Sequence, residues 1–169
     1  MLTLRLKKRL EGGSAFTLVR ADGSATWQRQ DRHAAFFAHH DLVHLAVEQS
    51  VPLRRAFYAL VASGWSFDDF LPPYARGPLP AEALWAETLV GMLDVERAQA
   101  AHGAALMGVG EINAHIAGKF GADQRKVPHE LRESELLAIR QRRDALFAQW
   151  DAVPPGETLE LIFEPSDAP

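Results

Sequence analysis

The 169-residue sequence predicts an α+β fold: an antiparallel sheet of about four strands, three N-terminal and one C-terminal, packed on a bundle of about five helices. Three observations lead there. Apolar and polar residues alternate through the first 30 positions, as in strands with one buried face. The same alternation returns near the C-terminus. Between the two, apolar residues recur at helical spacing.

Leu2, Leu4 and Leu6 point one way, with Thr3, Arg5 and Lys7 between them. Gly12-Gly13 breaks the run. Phe16 and Leu18 resume it, and Ala21-Asp22-Gly23-Ser24 supplies a hairpin turn. The chain returns through Ala25 to Arg29, with Trp27 as the large inward candidate. After Pro154-Pro155-Gly156, Thr158 to Glu164 alternates Leu159, Leu161 and Phe163 with polar neighbours. A lone hairpin is marginal in water, so these strands need one another and a covering layer. The last strand is expected beside the first, with Arg5 and Lys7 opposite Glu160 and Glu164.

The central region reads as helices. One runs from His40 to Gln49. Another follows Ser50 and Pro52, carries Leu53, Phe57, Leu60 and Val61, and ends at Gly64. Ser66 with Asp69 forms a capping box ahead of Pro72-Pro73. Pro80 opens a long helix to about Ala101, and further helices span Val109 to Phe120 and Pro128 to Trp150. No repeat or long linker divides the chain, so residues 1–169 are expected to form one domain.

Composition narrows the function classes. A net charge of −4 offers no basic field for nucleic acid or an anionic membrane surface. With no cysteine there are no disulfides, thiolate metal sites or Cys nucleophiles. Met1 to Arg9 lacks the continuous apolar stretch of a signal peptide, and no run reaches the roughly 20 apolar residues of a membrane span. The expected location is cytoplasmic. The excess of Arg over Lys, 14 to 4, suggests a GC-rich bacterial source.

Four of the seven histidines fall between positions 33 and 44. His40 and His44 are one helical turn apart and share a face, a good way to present two imidazoles to one divalent metal ion. Asp41 and Glu48 are neighbours at helical spacing and complete the candidate ligand set His40, Asp41, His44 and Glu48. At 1.5 Å of rise per residue, His40 and Glu48 lie about 12 Å apart along the axis, so further ligands must come from another helix. The competing reading is a solvated face, because projection puts Asp41, His44 and Glu48 opposite Leu42, Val43, Leu45, Ala46 and Val47.

Glu87 and Asp94 lie on nearly one radial line of the long helix, among small and apolar neighbours. Arg143 projects from the centre of the apolar stripe formed by Leu136, Ile139, Leu146, Phe147 and Trp150 on the last helix. A buried arginine needs a partner, so the favoured expectation is an ion pair of Arg143 with Glu87 or Asp94. The other is that both acids face the histidine helix as ligands or acid/base groups.

The stretch from Phe36 to Glu48, with Ala62-Ser63-Gly64-Trp65 and Leu89-Val90-Gly91, resembles a pattern in small uncharacterised bacterial proteins, which implies no activity. His40-Asp41-Leu42-Val43-His44 also resembles the HDxxH motif of a ubiquinone-biosynthesis family. That resemblance implies divalent metal at His40, Asp41 or His44. It departs where the family has a further downstream Glu and this chain has Ala56. Two readings are carried forward: a metal-binding protein of the small hydrolase or lyase kind, with an unknown small-molecule ligand, or a non-enzymatic binding or self-assembly module in which an exposed sheet edge pairs with a second copy in a homo-oligomer.

Overall fold

The computed structural model describes residues 1–31 and 33–165. Its chain order is β1 (Leu2–Lys8), β2 (Ser14–Arg20), β3 (Ala25–Gln30), α1 (Ala34–Ser50), α2 (Phe57–Ala62), a 3₁₀ turn (Phe67–Phe70), α3 (Ala81–Ala100), α4 (Val109–Ala122), α5 (Glu133–Asp151) and β4 (Thr158–Phe163). The strands form one antiparallel sheet in the order β3-β2-β1-β4, so the C-terminal strand pairs with the first and forms one edge of the sheet. This is the predicted α+β arrangement. None of the described helices is long and apolar enough to cross a membrane.

The register explains the core. Leu4 pairs with Leu18 and Leu161, and Leu6 with Phe16 and Leu159, giving one apolar row that the helices cover. Leu2, Leu4, Phe16, Leu18 and Phe163 are fully buried. Arg5 lies opposite Glu160 and bonds it at 2.8 Å on the open face. Lys7 is instead opposite Thr158, so the expected pairing with Glu164 is not formed.

Trp27 is also corrected. Thr17 points away from the core, and β3 pairs Thr17 with Trp27, which leaves the indole 66% exposed. Thr26, Gln28 and Gln30 take the inward row instead. Gln30 is buried, accepts from Ser14 Oγ at 2.7 Å and donates to Asp41 at 2.6 Å. Gly13 permits this crossing: a Cβ there would lie 2.7 Å from the Gln30 carbonyl, and its φ of +79° suits glycine.

The helices differ from expectation mainly at their starts. α1 begins six residues before His40, and α2 starts only at Phe57. α5 begins at Glu133, where the Glu135 carboxylate accepts the Arg132 backbone N–H at 2.9 Å. The Ser66–Asp69 capping box forms as expected, with Ser66 N–H donating to Asp69 at 2.8 Å.

α1 is the central element, touching α2, α3, α5, β2 and β3. Every residue from Asp41 to Val47 and on to Glu48 is buried. The solvated face read from projection therefore does not exist. A helix covered on every side must find partners for its polar groups inside the protein.

Candidate functional site

Burial turns the polar stripe of α1 into a constellation. Asp41, His44 and Glu48 are only 7%, 5% and 3% exposed. α3 packs beside α1 and carries Glu87 and Asp94 to the two histidines. His40 Nδ1 lies 2.7 Å from Asp94 Oδ2, and His44 Nε2 lies 3.1 Å from Glu87 Oε2. The imidazole centroids are 4.8 Å apart. One ligand atom from each of His40, His44 and Glu87 falls within 4.8 Å of the others.

The sequence-derived residues thus separate into two sets. His40 and His44 come together, and the third member is Glu87 from α3. Asp41 and Glu48 are turned elsewhere. Asp41 binds Gln30, while one Glu48 oxygen accepts the backbone N–H groups of Tyr58 at 2.9 Å and Ala59 at 3.4 Å. Arg143 claims neither Glu87 nor Asp94. It reaches Glu96 at 3.3 Å and Asp144 at 2.8 Å.

Glu96 was missed because, two residues beyond Asp94, it lies on nearly the opposite side of α3 from the line joining Glu87 and Asp94. It is 2% exposed and accepts from Arg140, Arg143 and the Met107 N–H at 3.0 Å. The signal was available in Arg140, one turn before Arg143 on α5. With Arg143 satisfied by Glu96, Glu87 and Asp94 are left to the histidines.

Each imidazole has a carboxyl group on its Nδ1 side. For His40 it is Asp94. For His44 it is Glu48, whose Oε1 lies 3.9 Å from Nδ1, too far for a hydrogen bond. Those two atoms are buried and have no other hydrogen-bond partner. Buried polar atoms are rarely left so, and a small rotation would join them.

The charges follow from the surroundings. Burial pulls the His40 pKa down, but the hydrogen bond to Asp94 and the nearby acids outweigh it, and the net shift is upward. Burial dominates at His44 and lowers its pKa despite Glu87. The His44 hydrogen bond holds Glu87 down at about 2, against a smaller opposing effect of burial. Burial pushes Glu48 up to about 8 and Asp41 to about 7. One assignment satisfies all of this: neutral His44 donates Nε2–H to ionised Glu87, and its Nδ1 lone pair faces protonated Glu48.

Raised carboxyl pKa values have a consequence for stability. The folded state of the metal-free protein keeps the Glu48 proton where the unfolded chain has released it. That contribution is fully present below the unfolded value near pH 4.5 and is lost as pH rises through about 8. Glu48→Gln keeps an acceptor for the Tyr58 and Ala59 N–H groups and cannot ionise. Its melting temperature relative to the native protein should therefore climb steadily between those limits. Thermal denaturation in chelator across that range checks this, and a constant difference would contradict it.

A cleft of about 530 Å³ opens over the constellation. His40, Asp41, His44 and Glu87 form its polar floor, and Phe57, Phe67 and Phe70 wall it. These rings pack together, with centroids 4.7 Å apart for Phe57–Phe70 and 5.8 Å for Phe57–Phe67. Trp27, Phe37 and Tyr74 border the opening. Its size is typical of small-molecule sites. A larger depression of about 630 Å³ lies between Gln49, Arg142 and Glu164. No histidine borders it, and Gln49 is there bonded to Arg142 and to the Ile162 carbonyl.

Comparison with protein-family models, with curated proteins and with solved structures finds no match for this chain. The functional reading therefore rests on the constellation and the cleft.

Proposed function

We propose that the protein binds one divalent transition-metal ion through His40 Nε2, His44 Nε2 and the Glu87 carboxylate, with an open coordination position facing the cleft. The observation that carries the reading is the carboxyl group on the Nδ1 side of each imidazole. Metal-bound histidines almost always direct their second nitrogen to such a group, which fixes ring orientation and raises basicity. Asp94 occupies that role for His40 at 2.7 Å, and Glu48 is 3.9 Å from it for His44.

Distance supports the same reading. Two ligand atoms each about 2.0–2.2 Å from one ion, at tetrahedral or octahedral angles, are about 3.0–3.5 Å apart. His44 Nε2 and Glu87 Oε2 are at 3.1 Å. His40, whose ligand atom lies within 4.8 Å of the other two, must swing inward, and His44 need only turn enough for its Nδ1 to reach Glu48. Two imidazoles and a carboxylate suit zinc, iron(II) or manganese, and such an ion would polarise a carbonyl or acidify a bound water. A small metal-dependent hydrolase or lyase is the activity class this serves. The alternative from the sequence, a non-enzymatic binding or self-assembly module, came with a solvated histidine cluster, whereas His44 is 5% exposed.

Calorimetric titration of chelator-treated protein with Zn²⁺, Fe²⁺ and Mn²⁺ tests the proposal. One equivalent of at least one ion should bind with release of a proton, because the proton on His44 Nε2 must leave while Nδ1 takes the one held by buried Glu48. Absence of saturable binding by all three would contradict it.

A further inference from the structure

The cleft above the histidines has a charge character of its own in the metal-free protein. Among the described residues that line it there is no Lys or Arg, while Glu87 and Asp68 are both exposed carboxylates. Lys119 of α4 acts on Glu87 through space but does not line the cleft. The exposed carboxylates that line the cleft, Glu87 and Asp68, are both acidic and come from different elements, α3 and the 3₁₀ turn.

Asp68 is placed by the fold. The 3₁₀ turn is fastened to β3 by the Phe67 N–H, which donates to Thr26 Oγ1 at 3.2 Å. That contact sets Asp68 beside the strand that carries Trp27. No ion pair or hydrogen bond of the Asp68 carboxylate occurs among the described residues. Trp27 is 66% exposed, Phe37 41% and Tyr74 39%, so three aromatic side chains that line the cleft are open to solvent. Large aromatic side chains are seldom exposed together at a cleft without a ligand to meet. Aromatic faces joined to carboxylates attract cations, and a desolvated ammonium gains most.

We infer that this cleft binds a small organic cation, an amine or quaternary ammonium on a flat apolar body. The ammonium sits between the aromatic mouth and Asp68, and the body lies along Phe57 and Phe70. A phosphate- or carboxylate-bearing ligand meets the like charge of Glu87 and Asp68 in the metal-free cleft. Charge complementarity, not cleft size, makes the choice, since a cleft of about 530 Å³ holds many small molecules.

Three probes of similar size and different charge test this on the full chain: benzyltrimethylammonium, benzyl alcohol and phenylacetate. Binding is followed by nuclear magnetic resonance on chelator-treated protein, so the outcome stands whether or not a metal binds at the floor. The ammonium should saturate and bind about tenfold more tightly than benzyl alcohol, with phenylacetate weakest. Asp68→Asn, a surface change that leaves the fold intact, should remove most of the preference and leave the benzyl alcohol affinity unchanged. Benzyl alcohol or phenylacetate binding as tightly as the ammonium would overturn the inference. So would the absence of saturation by all three at millimolar concentration, or an unaltered preference in Asp68→Asn.

Discussion

His44→Ala is expected to lower divalent-metal affinity by more than about 100-fold, since loss of an outer partner alone costs 10- to 100-fold. The side chain does three things at once. It supplies a ligand nitrogen, it holds Glu87 at 3.1 Å, and it faces Glu48. Alanine removes all three and leaves Glu48 in an apolar pocket. Asp94→Asn should behave differently. It keeps a hydrogen-bond acceptor for His40 but removes the charge, and the loss should stay within about 10- to 100-fold. Calorimetry on both variants, with circular dichroism to confirm folding, reads the order of the two effects. Equal small losses would mean that the ion binds elsewhere.

Glu96→Ala is expected to be the most destabilising single change among the charged residues. Its carboxylate joins α3 to Arg140 and Arg143 of α5 and to the Met107 N–H of the intervening loop. Glu96 is 2% exposed, and the Arg143 residue 8%. Removing one partner of a buried ion pair strands the others, at a cost of about 3–5 kcal/mol. For a chain of this size that corresponds to a fall in melting temperature of about 6–20 °C. Differential scanning calorimetry checks it. A loss below about 1 kcal/mol would show that the two arginines reach water when released. Metal affinity should be little changed, because none of these groups touches the histidines.

Where the sequence was legible, a simple period carried the information. Leu2, Leu4 and Leu6 alternate strictly, and a one-residue slip would have exposed all three, so their face was decided. Ala25 to Gln30 has no such bias. Its inward row, Thr26, Gln28 and Gln30, is set by pairing with Phe16 and Leu18, and Trp27 was consequently read on the wrong face. The start of α1 was obscure for a related reason. His33, the residue before its first turn, has a φ of 55° and makes no side-chain cap, so no capping residue marks the entry.

The site was half legible. His40 and His44 are neighbours by helical geometry alone, and Glu87 and Asp94 share a line on α3 by the same rule. That these pairs face each other is a matter of tertiary packing. A projection of α1 shows a polar stripe that would suit water equally well, and only α2 and α3 reveal that it is buried. The ion-pair expectation failed because a buried Arg143 identifies the need for an acid without identifying which one. Glu96 met that need, and the acids it spared are the ones beside the imidazoles.

The most direct measurement is an experimental structure of zinc-loaded protein, with the ion located by anomalous scattering. The account predicts one peak about 2.0–2.2 Å from His40 Nε2, His44 Nε2 and a Glu87 oxygen. His40 should keep Asp94 on its Nδ1, and His44 Nδ1 should close on Glu48 from the present 3.9 Å. Zinc bound elsewhere, or no zinc with both imidazoles still resting on Asp94 and Glu87, would contradict it.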